Sequence, residues 1–94
     1  MVYILVKHKV KDFEKWKVVF DEHAAVRETE GSQGGRLFHN IDDPNEAIII
    51  LKWDSIENAR QFMASDSLKE TMQRAGVTGK PEIYFLDDVE KVSV

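Results

Sequence analysis

The first ten residues alternate in polarity in a way that predicts a β-strand. Between Val2 and Val10, successive side chains alternate with a period of two, and the first half of the run is apolar on both sides. A sheet in a small domain normally buries one face only. Two apolar faces therefore predict helices on one side of the sheet and a second sheet on the other, which is a first indication of a dimer.

The next segment predicts a long amphipathic helix. Asp12 suits the N-cap position, and residues of one stripe then recur at three- and four-residue spacing. The stripe consists of Phe13, Trp16, Val19, Phe20, His23, Ala24 and Val26. A polar connection, Glu28–Gly35, follows the helix.

Two further strand-like runs predict a hairpin. Arg36–Ile41 and Ala47–Trp53 are separated by Asp42–Asn45, in which an Asp-Pro pair suits a type I turn. A turn centred there pairs Asn40 with Ala47, Phe38 with Ile49 and Arg36 with Leu51. In this register one face, which we assign to the helix side, carries Trp53, Leu51, Ile49, Phe38 and Arg36.

The last third of the chain predicts two short helices and a final strand. Asp54 with Glu57, and Ser67 with Glu70, have the spacing of capping boxes. The last strand is expected over Glu82–Val89. The resulting order of strand, helix, strand, strand, helix, strand is the α+β, ferredoxin-like βαββαβ plan with a four-stranded antiparallel sheet, in one domain spanning residues 1–94.

Composition and charge exclude several classes of function. Thirteen Lys and Arg against 17 Asp and Glu give a formal net charge of −4, so neither nucleic acid nor an anionic membrane is an expected partner. The chain has no cysteine, which excludes disulfides and thiolate chemistry. No His, Asp or Glu pair has metal-ligand spacing, so we expect no metal. Without a signal peptide or membrane span, we expect a cytoplasmic protein.

Aromatic side chains around one histidine predict a pocket between the helices and the sheet. His23 lies within the apolar stripe of the first helix, and the end of that helix should approach Trp53. We expect these two to be the catalytic residues. The predicted walls of the pocket are Phe20, Arg36, Phe38 and Phe62.

A structural interpretation of the same residues stays open. His23 could be a core histidine with a backbone hydrogen bond, and Trp53 could fill the core or an interface. His8 and His39 are lone strand histidines, for which structural or solvent-edge roles are favoured.

Four segments resemble those of a known superfamily. They are Asp12-Phe13-Glu14-Lys15-Trp16, Gly35-Arg36-Leu37-Phe38, Asp42-Asp43-Pro44-Asn45-Glu46 and Trp53-Asp54. Nearly the whole chain is similar to the dimeric α+β barrel superfamily, and the nearest group is the one named for antibiotic biosynthesis monooxygenases. The resemblance implies a homodimer in which two four-stranded sheets close a barrel, with helices outside and a pocket in each protomer.

The resemblance also implies which site residues to expect. In active relatives a Trp closes the third strand, and a His follows about nine residues later. Trp53 matches the Trp, whereas Phe62 occupies the position of the His. The haem-degrading branch also uses an Asn on the first strand, which this chain lacks. We therefore expect no haem and no other cofactor.

Three functional hypotheses follow. The first is a cofactor-independent monooxygenase, or a related isomerase or cyclase, acting on a small aromatic or enolisable compound, with His23 assisting proton transfer. The second is a protein that binds or senses a small apolar ligand without turnover. The third is a purely structural role in which His23 and Trp53 only fill space.

Overall fold

A computed structural model describes all 94 residues, and its centre is a four-stranded antiparallel sheet. The strands are β1 (Val2–Val10), β2 (Ser32–Asn40), β3 (Asp43–Trp53) and β4 (Val77–Asp87). Their order across the sheet is β2-β3-β1-β4. The first and third strands are thus central and antiparallel, which confirms the predicted ferredoxin-like α+β plan.

Each predicted helical region contains two helices. The first region is α1 (Phe13–Glu22) and α2 (Ala24–Glu30), and the second is α3 (Ile56–Met63) and α4 (Asp66–Arg74). The prediction of one continuous first helix was wrong, because the chain leaves helical geometry at His23, where φ is −86° and ψ is 0°. No helix is both long enough and apolar enough to cross a membrane.

Side-chain oxygens cap three of the four helices. Asp12 caps α1 as predicted, its carboxylate accepting the Lys15 N–H at 3.2 Å. The predicted caps Asp54 and Ser67 were each displaced by one or two residues, since Ser55 caps α3 and Ser65 caps α4. Asp54 is still in the connection after β3, where its N–H donates to the carbonyl of Gly31 at 3.0 Å.

The predicted register of the β2–β3 hairpin was wrong by one residue. The observed partners are Arg36 with Ile50, Leu37 with Ile49, Phe38 with Ile48 and His39 with Ala47. The turn lies at Ile41 and Asp42, with Asn40 opposite Asp43, and the pairing shifts between His39 and Asn40 so that His39 lies opposite Ala47. The Asn40 side chain stabilises this tip by accepting the Asp42 N–H at 2.9 Å.

A slip of one residue exchanges the two faces of a strand. Leu37 therefore packs on the core beneath the helices, whereas Arg36 and Phe38 lie on the opposite face. Phe38 is 43% exposed there. Both residues therefore lie on the face of the sheet opposite to the one assigned to them from the sequence.

The core lies between the sheet and the helices. Ile4 and Trp53 are its largest fully buried side chains. The opposite face of the sheet carries no helix, yet many of its side chains are apolar. We call this surface the open face; its apolar residues are Tyr3, Leu5, Phe38, Ile48, Ile50, Tyr84 and Leu86.

Candidate functional site

A cavity of about 70 Å³ lies between the helices and the sheet. We call it the inner cavity. Most of its wall is apolar, and its polar side chains are His8, His23, Arg27 and Thr71. The other lining residues are Val6, Trp16, Val19, Phe20, Ile49, Leu51, Phe62, Met63, Leu68, Met72 and Ala75.

His8 reaches the inner cavity from the sheet. It belongs to the same face of β1 as Val6 and Val10, and only 5% of its surface is exposed. Neither Nδ1 nor Nε2 has a hydrogen-bond partner, and the edge-to-face contact with Trp16 at 5.5 Å between ring centroids satisfies neither nitrogen. Burial lowers the pKa of His8 to about 4, so the imidazole is neutral at pH 7.

His23 reaches the inner cavity from the break between α1 and α2. Its backbone is part of both helices, since its N–H donates to the Val19 carbonyl and its carbonyl accepts the Arg27 N–H, each at 3.1 Å. Burial lowers the pKa of the His23 side chain, and the positive charges of Arg27 and Arg74 lower it further. This imidazole is therefore also neutral at pH 7.

Arg27 supplies a half-buried cation. Its guanidinium lies 3.8 Å from the centroid of the Phe20 ring and donates to the Phe20 carbonyl at 2.7 Å. Burial lowers its pKa, an effect opposed by Asp21, but no carboxylate lies within ion-pair distance. A half-buried guanidinium without an ion pair can bind a carbonyl or an anion.

The predicted direct approach of His23 and Trp53 is not found. The Phe62 ring contacts both, at 6.0 Å from His23 and 5.0 Å from Trp53 between centroids. Trp53 is 1% exposed, and it does not line the inner cavity. The indole packs against Phe62 and supports that part of the wall.

A wider cleft of about 500 Å³ adjoins the inner cavity. We call it the outer cleft. The two share Phe20, Arg27, Ile49 and Leu51, so they meet beside the Arg27 guanidinium. Most other residues of the outer cleft belong to the start of β2, over residues 32–37, including Arg36. Arg36 thus borders the outer cleft and not the inner cavity.

Sequence reasoning located part of this site. Of the predicted residues, His23, Phe20 and Phe62 line the inner cavity, whereas Trp53, Arg36 and Phe38 do not. It missed His8 and Arg27, which the structure places in the wall.

A signal for His8 was present in the sequence. His8 lies two residues from Val6 and two from Val10, which are both buried, so its side chain points to the same face of β1 as theirs. The alternation that predicted the strand therefore also places His8 under the helices. A signal for Arg27 was present as well, because it follows His23 by four residues and Phe20 by seven, which is the spacing of the same helical stripe.

Comparisons with known proteins identify the fold. No family model matches the chain. A candidate antibiotic biosynthesis monooxygenase from Bordetella bronchiseptica has a TM-score of 0.79 and 14% identity, covering 95% of this chain and 97% of that chain. SnoaB, a cofactor-independent oxygenase from Streptomyces nogalater, has a TM-score of 0.78 and 18% identity, covering 99% and 97%. The chain thus has the fold of the antibiotic biosynthesis monooxygenases, which confirms the fold that the resemblance in the sequence implied.

Two curated relatives are archaeal proteins described as candidate heme-binding proteins. The one from Haloarcula marismortui is 32% identical over 89 residues, covering 92% of this chain and 13% of that protein. The one from Haloquadratum walsbyi is 33% identical over 63 residues, covering 65% of this chain and 12% of that protein. This chain therefore spans about an eighth of the length of the curated relatives it matches.

The residues of the site do not fit haem. The two histidines that could ligate iron line the inner cavity, and its volume of about 70 Å³ is far below the roughly 300–1,000 Å³ typical of pockets for larger ligands. The outer cleft is larger but contains no histidine. No group of three His, Asp or Glu side chains is placed to hold a metal ion either.

Proposed function

We propose that this protein is a cofactor-independent monooxygenase, or a related isomerase or cyclase, for a small aromatic or enolisable compound. The observation that carries the proposal is the inner cavity, an apolar space with two neutral imidazoles in its wall. The fold shared with SnoaB supports the same reaction class. A ligand would place its apolar ring in the inner cavity and the rest in the outer cleft.

In this mechanism the protein orients a substrate that supplies its own electrons. His23, being neutral, accepts a proton from an acidic C–H beside a carbonyl, and the apolar wall keeps water from the resulting carbanion. Molecular oxygen forms a C–O bond with that carbon. Loss of the second hydrogen and cleavage of the O–O bond then convert CH₂ and O₂ into C=O and H₂O, so that the substrate supplies all four electrons.

The remaining wall residues have positioning roles. Phe20 and Phe62 pack against the substrate ring, and Trp53 holds Phe62 from behind. Arg27, where the inner cavity meets the outer cleft, stabilises the enolate oxygen as it develops. Phe38 has no part in this mechanism because the observed register places it on the open face, and Arg36 borders only the outer cleft.

Replacing His23 tests the reaction. Anthrone, an enolisable aromatic ketone, serves as the probe, with oxygen consumption and anthraquinone formation as readouts. Loss of a general base typically costs about 10²–10⁴-fold in rate, so His23→Gln should lower turnover by that order with nearly unchanged affinity. His39→Gln is the matched control, since His39 is exposed and does not line the inner cavity.

Binding without turnover is the second candidate. Its support is the lowered pKa of both imidazoles, which makes them weak bases. Under this alternative the wild type binds anthrone but consumes oxygen no faster than anthrone does in buffer. Turnover that His23→Gln leaves unchanged would contradict the proposed role of His23.

We also propose that the chain is a homodimer formed through the open face. The apolar side chains of this face lie side by side without a helix above them, and Phe38 and Tyr84 are 43% and 52% exposed. Contiguous exposed apolar surface of this kind is typical of an interface. A second copy with the same apolar sheet would cover it as the two sheets of a barrel.

A further inference from the structure

His8 is a buried polar side chain in the cavity wall with no hydrogen-bond partner elsewhere in the protein. Only 5% of its surface is exposed, and neither ring nitrogen has a hydrogen-bond partner. The ring forms part of the wall of the inner cavity. Buried polar groups in folded proteins almost always have a hydrogen-bond partner. The indole Nε1 of Trp53 is also buried without a partner, but Trp53 does not line the inner cavity, whereas the unpartnered ring of His8 does.

Neighbouring groups do not explain His8. Lys7 and Lys9 flank it in sequence but project to the other face of β1, and both pair with carboxylates there. The helical residue Trp16 contacts His8 with its ring, which gives neither nitrogen a hydrogen bond. The charged or titratable groups in the cavity wall are His23 and Arg27, and neither contacts His8 by hydrogen bond.

The chemistry of a neutral imidazole defines what would pair with it. One ring nitrogen carries a hydrogen and donates, and the other accepts. A hydroxyl on an aromatic ring or on an enol can donate to the accepting nitrogen, and its ring fits the apolar wall around His8. A charged group is a poorer match, because the wall beside His8 is formed by Val6 and Trp16 and would desolvate it.

We propose that His8 recognises the hydroxyl of a phenol or enol bound in the inner cavity. This inference rests on the proposed function, and it defines the substrate class of that site as hydroxylated aromatic compounds or the enol form of a ketone. His8 is thus a specificity-determining residue, distinct from the proton-transfer role of His23. An analogue without the hydroxyl leaves the imidazole unpaired and is rejected for that reason.

The test compares phenol with toluene, two molecules of nearly the same shape that differ in the hydroxyl. Toluene is the more hydrophobic, so burial alone favours it over phenol in an apolar cavity. We expect the ratio of phenol affinity to toluene affinity to be higher in the wild type than in His8→Phe by about tenfold, the size of one hydrogen bond to a buried group. Dissociation constants come from NMR titration of cavity methyl groups, and the ¹⁵N signals of His8 should move with phenol and not with toluene.

Three variants make the test specific to His8. His8→Phe should bind toluene at least as tightly as phenol, and His8→Gln, which keeps a donor and an acceptor, should restore part of the phenol preference. His39→Phe is the matched control and should keep the wild-type preference, because His39 lies outside the cavity wall. The phenol and toluene affinities are compared within each variant, so a general effect of the substitution on folding cancels in their ratio.

The possible outcomes separate the two proposals. A phenol-to-toluene affinity ratio that is the same in the wild type and in His8→Phe overturns the role of His8 and leaves the cavity as a binding site. A phenol preference that survives in His8→Phe overturns it as well. Binding of neither molecule at any concentration up to solubility overturns both the role of His8 and the proposed function.

Discussion

At the scale of a single residue, His8 lowers the stability of the free protein at a position where its side chain can bind a ligand. Its imidazole is buried with two unpaired nitrogens, and leaving a buried polar group unpaired costs about 1–3 kcal/mol. The edge-to-face contact with Trp16 offsets only part of this cost. The unpaired nitrogens therefore destabilise the free protein, and the same nitrogens are available for hydrogen bonds to a ligand.

His8→Phe should raise the free energy of unfolding at pH 7 by about 1 kcal/mol. Phe removes the unpaired nitrogens and keeps a ring against Trp16, and the adjoining cavity accepts its slightly larger volume. Urea denaturation followed by Trp fluorescence measures the change. A variant less stable than the wild type would mean that the imidazole has a partner in the folded state.

The same residue predicts a pH dependence of stability. The pKa of His8 is about 4 when folded and about 6.5 when unfolded, so the unfolded chain binds the proton first as the pH falls. Stability should fall between pH 6.5 and 4, by about 2–3 kcal/mol at about 1.4 kcal/mol per pKa unit.

Subtracting the profile of His8→Phe isolates this contribution. His23, whose pKa burial also lowers, adds a loss of the same sign that is present in both proteins. The difference between the unfolding free energies of the wild type and His8→Phe should therefore grow as the pH is lowered. A constant difference from pH 7 to pH 4 would contradict the lowered pKa of His8.

At the scale of elements, the approach of β2 to β3 depends on one glycine. Gly35 pairs with Leu51, and a Cβ added to it would overlap the Ile50 carbonyl oxygen. That oxygen belongs to the backbone of a paired strand and cannot rotate away. This contact brings the start of β2 close to β3, where both strands border the outer cleft.

Gly35→Ala should lower the free energy of unfolding by about 3 kcal/mol through steric overlap with β3. The neighbouring Gly34→Ala is the control, because Gly34 has a φ of +87° but no atom within 4 Å of an added Cβ. Its cost is that of the left-handed conformation, about 1 kcal/mol. Urea denaturation of both variants checks the order, and equal losses would contradict the overlap.

At the scale of the whole molecule, the open face bears on whether the chain is a monomer or a dimer. A sheet covered by helices on one side still exposes apolar side chains on the other, and here they extend across all four strands. A second copy placed against this face would bury them, whereas the helices of α1 to α4 would remain outside.

Tyr84→Glu should convert the proposed dimer to monomers. Tyr84 lies on the open face, and burying an unpaired carboxylate costs several kcal/mol, which raises the dissociation constant by about 100-fold or more. Light scattering after size exclusion distinguishes the 10.8 kDa chain from twice that mass. Val18→Glu on α1 is the matched control, since Val18 is 57% exposed. A wild-type monomer, or dissociation by both variants, would contradict this interface.

Hydrophobic periodicity by itself determined the fold. The alternation in β1 and the apolar stripe of α1 depend on neighbours along the chain, so the sequence shows which face of β1 and which face of α1 is turned to the core. The βαββαβ order then limits the sheet to few topologies. For the same reason Phe20, His23 and Phe62 could be assigned to the helix side of the sheet before any coordinates were known.

Tertiary structure alone decided the hairpin register, the break at His23 and the content of the cavity. The register depends on the turn at Ile41–Asp42 together with the shift in pairing after His39, and a change of one residue moved Arg36 and Phe38 to the open face. Phe62 separates His23 from Trp53 because side chains from different elements compete for the same space. Such distances between elements are set by packing in three dimensions, which the order of residues along one strand or helix does not specify.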